Sequence, residues 1–374
     1  SNNICSLKPN VDRLAYSVLF EMDERSNLID YSVSKTVIHS DVRFTYRSAQ
    51  DVIDNKNGKF SEELLLLDRL SKILRKKRQE KGSINFEGTE VKFILDADDN
   101  PIDVFFKECL STNHLIEEFM LLANKTVAKH IGFPEKNAKT FVYRVHDLPD
   151  NDRISTLNNI VKKFGHSINN DNSNKLSSSL NNLLKNVKGK KEQQMVETLT
   201  IRSMAKAVYT TKNIGHYGLA FDCYSHFTSP IRRYPDLIVH RLLEKYIDGG
   251  KSIDKEELER LCKHCSEMER VASQAERDSV KYMQVKFLQN KIGERYDGVV
   301  SGVTEWGVYV ELIANKCEGL VKVSSMKDDH YIYDEKKYAL IGYRTKISYQ
   351  IGQKVKIKIQ RADLERKQMD FILV

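Results

Sequence analysis

Near Lys291 the repeat of the sequence changes, and that change constrains the fold more than any other feature. Upstream, LERLCKHCSEMERVASQAERDSVKYMQVKFL reads as a long helix. Downstream, IGERYDGVVSGVTEWGVYVELIANKCEGLVKVSS reads as short strands with glycine-containing turns, and SYQIGQKVKIKIQRADLERKQMDFIL closes the pattern with lysines alternating against isoleucines. Five such strands within about eighty residues predict a small OB-type barrel. The expected division is therefore 1–291 and 292–374, and 374 residues suffice for two full cores.

Before the switch, helical and strand patterns are mixed, which predicts an α+β domain with a mixed sheet. Leu14 to about Arg47 alternates apolar and polar residues in the manner of strands. SEELLLLDRLSKILRKKRQEK brings Leu66, Leu67, Leu70, Ile73 and Leu74 onto one helical face, and its basic tail Arg75-Lys76-Lys77-Arg78 reads as the solvated side. SINFEGTEVKFILDADDNPIDVFF returns to alternation around a turn at Asp98-Asp99-Asn100-Pro101. LDADDN imitates an acidic metal cluster, but successive carboxylates in a strand turn diverge, and Asn-Pro is turn chemistry. HLIEEFMLLANKTVAKHI predicts a helix with Leu115, Phe119, Ala123 and Val127 as its buried stripe. The Asn/Ser/Lys-rich stretch 167–191 is expected to be an exposed, partly mobile insertion.

Chemistry concentrates in Tyr224 to Arg241, YSHFTSPIRRYPDLIVHR. Ser229-Pro230 and Tyr234-Pro235 bias the preceding residues away from helix, so Arg232 and Arg233 fall in a stiff turn. The periodic DLIVHRLLEKYI then reads as a helix with Pro235 in its first turn. Arginines held at such a turn suit the gripping of phosphate or carboxylate oxygens. A structural pair bonded within the fold is the alternative.

The same run resembles the arginine motif of the ribonuclease II/ribonuclease R family, the 3′→5′ exoribonucleases with an RNB catalytic domain. The resemblance covers nearly the whole chain. SNNICSLKPNVDRLAYSVLFEM is similar to that family's central strand region, IEEFMLLAN to its core helix, and GHYGLAFDCYSHFTSPIRRYPDLIVHR to the arginine motif, with FTSPIRRYPDL pointing to the ribonuclease R branch. GVVSGVTEWGVYVEL, EGLVKVSS and IGQKVKIKI are similar to an S1-type RNA-binding domain. The implied fold is a mixed-sheet RNB domain, incomplete at its N-terminal side, followed by an all-β OB-fold barrel.

Roles follow by the same resemblance. Arg232 is implied as the catalytic arginine, with Arg233 as the alternative. Tyr46 is implied as a site tyrosine near the scissile phosphate. Glu117 is implied as the carboxylate that accepts from the terminal ribose 2′-OH, the group that tells RNA from DNA. Glu118 is the off-by-one alternative, and Asn124 lies two turns on, where the same face would reach the nucleotide as a further RNA contact. Phe86 is implied as an aromatic clamp on the last bases, and Glu276 as a site-adjacent glutamate. His216 is implied as a phosphate contact or a loop residue, and His226 as structural. In the barrel, Trp306 and Tyr309 are implied as stacking aromatics, and Lys322 stands where many members carry histidine.

The family's magnesium site rests on aspartates in a pattern like DxxxxxDxDD, upstream of the region matching Ser1, so no metal ligand is expected in this chain. Mg2+ would be held by upstream sequence of a longer chain or by a separately encoded polypeptide. Strands opening midway through a domain leave an unpaired edge, and aggregation is the expectation for the isolated chain.

A net charge of +8 favours an anionic partner, here single-stranded RNA. No apolar run reaches the roughly eighteen residues a membrane helix needs, so neither a membrane nor an export segment is expected and a cytoplasmic location is. The lone Cys262-Lys-His-Cys265 lacks a second pair to complete a zinc site and reads as one face of a helix. The leading functional expectation is a processive exoribonuclease releasing nucleoside 5′-monophosphates. The alternatives are a non-catalytic RNA-binding fragment or split subunit, and a ribosome- or nuclease-associated interaction protein.

Overall fold

The computed structural model describes residues 5–84, 90–132, 138–190, 192–335 and 337–374. The chain begins with strands β1 (Asp12–Met22) and β2 (Leu28–His39), helices α1 (Tyr46–Asn55) and α2 (Ser61–Glu80), and hairpin strands β3 (Glu90–Leu95) and β4 (Pro101–Lys107). Next come α3 (Ser111–Gly132), β5 (Tyr143–Val145), α4 (Asn151–Val161), α5 (Ser173–Val187), α6 (Gln193–Ser203), β6 (Val208–Thr210), α7 (Tyr234–Ile247) and α8 (Lys255–Gln289). The C-terminal part is all β: β7 (Arg295–Thr304), β8 (Gly307–Leu312), β9 (Glu318–Lys322), β10 (Tyr331–Asp334), β11 (Ala339–Gly342), β12 (Ser348–Gln350), β13 (Lys354–Asp363) and β14 (Gln368–Leu373). Two compact units result. The first comprises Ser1–Ile84, Cys109–Leu148 and Lys206–Met268, and the second Asn85–Glu108, Pro149–Ala205 and Glu269–Val374.

The core of the first unit joins Val127, Ala128 and Ile131 of α3 to Tyr143, Tyr209, Val239, Leu243 and the buried Cys262 and Cys265 of α8. The two thiols thus lie on one helix face, as their spacing predicts, and all six cysteines are free. β1 and β2 form an antiparallel hairpin in which Leu14 faces Val37. Tyr16, Val18 and Val33 pack on the core, whereas Leu14 and Val37 are exposed. Among the described residues this sheet has two strands.

Three expectations for the helices are corrected. Tyr46 opens a helix rather than ending a strand, because Thr45 and Ser48 form a reciprocal cap: the Ser48 amide donates to Thr45 Oγ1 at 3.0 Å, and the Thr45 amide donates to Ser48 Oγ at 2.9 Å. The basic tail of α2 is not uniformly solvated, because Arg78 is buried against Glu118 of α3. The buried face of α3 runs through Leu115, Glu118, Leu121, Asn124 and Val127, while Phe119 and Ala123 are only half-buried. Polar side chains with internal partners occupy that face, so an apolar count misplaces the stripe.

In the second unit, the described residues 167–190 are not simply an exposed insertion. Helix α5 buries Leu176, Leu180, Leu183 and Val187 and packs on α6, which buries Met195, Val196 and Leu199. The apolar spacing is helical, and the Asn and Ser residues between conceal it. At the β3–β4 turn, Asp96 accepts hydrogen bonds from the Asp98 amide (2.9 Å) and the Asn100 amide (2.8 Å), so this carboxylate closes the turn.

Strands β7, β8, β9, β14 and β13 close into the expected five-stranded barrel, antiparallel except for the β14–β9 pair. Val308 and Val310 are buried, as are Ile357 and Ile359, while Lys354 and Lys356 are exposed and Lys358 is half-buried. Gly307 starts β8 where a Cβ would meet the Val321 carbonyl at 2.2 Å, so no larger residue fits that close pairing with β9. A separate three-stranded sheet, β10–β11–β12, is inserted between β9 and β13.

Candidate functional site

The arginine turn is built by one carbonyl and one carboxylate. The Ser229 carbonyl accepts from the amides of Arg232 (3.3 Å) and Arg233 (3.1 Å). Asp236, fully buried in the first turn of α7, accepts at 2.7 Å from both the Ser229 amide and Arg233 Nη2. Arg233 is the extended residue capping α7, with proline in the first turn. The two neighbours therefore differ in state. Arg233 is held inside the loop, whereas Arg232 is exposed, and among the described residues its guanidinium has no hydrogen-bond or ion-pair partner. A fixed, unpaired guanidinium on a stiff turn is a ready anion grip. Asp236 was not singled out in the sequence; its i,i+3 spacing from Arg233 at a helix start was the available signal.

Helix α3 ties this turn to the rest of the unit. Asn124 Nδ2 donates to the Tyr224 hydroxyl at 3.0 Å, and its Oδ1 accepts from the Phe227 amide at 2.9 Å. Asn124 is buried with both ends of its amide engaged, so it orders the arginine loop, which corrects its assignment as an RNA contact. At the other end of α3, Thr112 Oγ1 donates to the Tyr46 carbonyl at 3.0 Å, and the Thr112 amide donates to Gln50 Oε1 at 3.1 Å. One helix thus positions both the Arg232 turn and the exposed Tyr46 ring.

Glu117 and Glu118 are also separated by their surroundings. Glu118 is 3% exposed and takes both Nε (3.2 Å) and Nη2 of Arg78, so its carboxylate is spent inside the fold. This corrects its place as the alternative ribose contact. Glu117 is half-exposed, with His114 Nδ1 at 3.3 Å and Arg78 Nη2 at 3.5 Å. Arg78 is the residue that sequence reasoning missed, since nothing in a basic run distinguishes the one member that turns inward.

The histidines of the motif are neutral structural groups. Burial, reinforced by Arg233 and Arg144, pushes His226 down to about 2, and its Nδ1 lies 2.8 Å from the Tyr209 hydroxyl. Burial, with His146 and Arg144 nearby, pushes His216 down to about 3. His216 Nδ1 accepts from the Leu219 amide at 3.3 Å, capping a short turn, so His216 orders the loop. Neither imidazole is poised as a base near neutrality.

In the second unit Trp306 stands 69% exposed in the β7–β8 turn, and Tyr309 is half-buried on β8. Lys322, at the end of β9, reaches Asp370 Oδ2 at 2.8 Å. The β7–β8 loop and the second and third strands of an OB barrel are where that fold takes oligonucleotides. Glu276 is exposed on α8. Phe86 lies outside the described residues. Among the described residues no group of three or more His, Cys, Asp or Glu side chains is arranged to hold a metal ion, so the described residues do not fit a magnesium centre. No described helix is long and apolar enough to cross a membrane.

An α+β region carrying an arginine turn, followed by a closed five-stranded barrel, is the arrangement of an RNB domain followed by an S1-type OB-fold barrel. The family models agree: residues 1–249 match the RNB domain and 289–373 the S1 RNA binding domain, and the chain belongs to the RNB family. It is 37% identical to ribonuclease R of Aquifex aeolicus and 39% identical to that of Thermotoga maritima, in each case over 100% of this chain and 54% of the relative. Mycoplasma genitalium RNase R in complex with ribose-methylated single-stranded RNA superimposes with a TM-score of 0.91 at 27% identity, covering 100% of this chain and 60% of that one. The chain thus spans about half the length of the curated relatives it matches.

Proposed function

We propose that this chain is the arginine-bearing and RNA-holding part of a ribonuclease R-like 3′→5′ exoribonuclease acting on single-stranded RNA. The observation that carries this reading is the exposed Arg232, without a partner among the described residues, on a turn locked by Arg233 and Asp236. Its guanidinium would grip the non-bridging oxygens of the scissile phosphate as charge accumulates there. Glu117 would accept from the ribose 2′-OH, Tyr46 would line the phosphate, and Trp306 and Tyr309 would stack bases in the barrel. The domain division at 291/292 is kept, supported by the start of the barrel at Arg295.

The magnesium ions this chemistry requires are assigned to aspartates outside the chain, on a longer polypeptide or a separate one, and the enzyme is placed in the cytoplasm. Alone, the chain should bind RNA and release almost no mononucleotide. Mixing it with a polypeptide that carries the upstream aspartates should restore hydrolysis, and Arg232→Ala should abolish the restored activity. A non-catalytic RNA-binding product is the second reading, supported by the lack of a fitting carboxylate cluster among the described residues. Under that reading the mixture stays inactive.

A further inference from the structure

The β11–β12 turn of the inserted sheet, Tyr343 to Lys346, has no part in the reading above, yet it is built with care. Asp329 is enclosed beneath it and accepts from the Thr345 amide (2.6 Å), Thr345 Oγ1 (2.7 Å), the Arg344 amide (2.9 Å) and the His330 amide (2.7 Å). The Tyr343 amide donates to the His330 carbonyl at 2.8 Å, and the Gly342 amide to the Ile347 carbonyl at 2.8 Å. At Gly342 a Cβ would sit 2.6 Å from Thr345 Oγ1 and 2.7 Å from Asp329 Oδ2, so the cradle excludes a side chain there.

What this rigid turn displays is an aromatic between two cations. Tyr343 is 65% exposed, and Lys346 Nζ lies 5.4 Å from its ring centroid. The Arg344 side chain is 75% exposed, with Nε 3.6 Å from Asp329. The nearby acidic groups are engaged internally: Asp329 by the turn, and Asp328 Oδ2 by the Tyr331 hydroxyl at 2.7 Å. The exposed ring is thus flanked by two cationic side chains, of which Arg344 also faces the enclosed Asp329. Exposed aromatics among cations, preorganised by the backbone, are the composition of a single-strand nucleic-acid contact, where a base stacks and the cations meet phosphates.

We propose that the Tyr343–Lys346 turn is a second single-stranded RNA contact of the S1-type module, separate from the face bearing Trp306. The inference rests on the reading of the chain as an RNA binder. Strands β11 and β12 lie against β7, the strand that leads into the Trp306 turn, so both contacts belong to one module. A strand long enough to leave the Trp306 face would be caught again at the tip.

The test measures Kd for the full chain with RNA oligomers of increasing length, without divalent metal, for the wild type, Tyr343→Ala, Tyr343→Phe and Trp306→Ala. Tyr343→Ala should lose roughly five- to 150-fold in affinity on long oligomers, the range for one stacked base, with no loss on the shortest that bind. Tyr343→Phe should keep wild-type affinity, and ultraviolet crosslinking should mark the peptide containing Tyr343. Wild-type binding by Tyr343→Ala at every length, without a Tyr343 crosslink, would overturn the proposal while a weakened Trp306→Ala upheld the RNA-binding reading. If the wild type binds no RNA, both fall.

Discussion

Arg233 Nη2 lies 2.7 Å from Asp236 Oδ1, and that contact divides the work of two adjacent arginines. One closes the loop, and its neighbour Arg232 stays exposed. Arg233→Ala or Asp236→Ala leaves a buried group uncompensated and should cost roughly 3 kcal/mol of stability. Arg232→Ala should leave the melting temperature unchanged and weaken RNA binding. Denaturant titration and filter binding on the same variants separate the two. Equal destabilisation by both arginine variants would contradict the division.

The glutamates behave the same way. Glu118→Ala removes the close partner of the buried Arg78, leaving it only Glu117 at 3.5 Å, and should destabilise by about 3 kcal/mol, the lower end of the cost of breaking a buried pair. Glu117→Gln should melt like the wild type and narrow the preference for a 3′-terminal ribose over a 3′-terminal deoxyribose. Competition binding with two oligomers that differ in that one hydroxyl reads the effect. Unchanged discrimination would remove Glu117 from the role.

Trp306 is exposed and supports no core, so Trp306→Ala should not alter thermal stability. It should weaken single-stranded RNA binding by about 1–3 kcal/mol, with little dependence on base identity. Isothermal titration with oligo(U) and oligo(A) measures both.

His216 and His226 give the fold a sensitivity to acid. Their native values, about 3 and about 2, lie below the ordinary histidine range. The unfolded chain therefore takes up protons at these sites as the pH falls below roughly 6.5, and the native state does not. The stability is fully present above that value and is lost on acidification, at roughly 1.4 kcal/mol per pH unit for each histidine. Urea unfolding between pH 7.5 and 5 should show this slope, and His226→Gln should reduce it by about one proton. A stability flat across that range would refute the burial.

Those parts of the fold that rest on repeat alone were legible in the sequence. The barrel was readable because alternation survives in Val308 and Val310 around Tyr309, and in Ile357 and Ile359 around Lys358. The helix carrying the CxxC was readable for the same reason. Helix α5 was not, because Leu176, Leu180, Leu183 and Val187 are spaced helically but separated by residues typical of loops. Arg78, Glu118 and Asn124 were misassigned for another reason: a buried polar residue is recognised by its partner, and the partners lie 40 residues away for Arg78 and about a hundred for Asn124. The inserted β10–β12 sheet was missed because its strands are only three or four residues long.

The central claim is that this chain holds RNA at a site whose metal ligands lie elsewhere. The most direct measurement follows an RNA labelled at its 3′-terminal nucleotide, incubated with the isolated chain and magnesium, beside filter binding in EDTA. The account predicts retained RNA with almost no labelled mononucleotide released. Rapid release of labelled 5′-monophosphate by the chain alone would contradict it and place the metal on carboxylates of this chain, with Asp96, Asp98 and Asp99 the first to substitute.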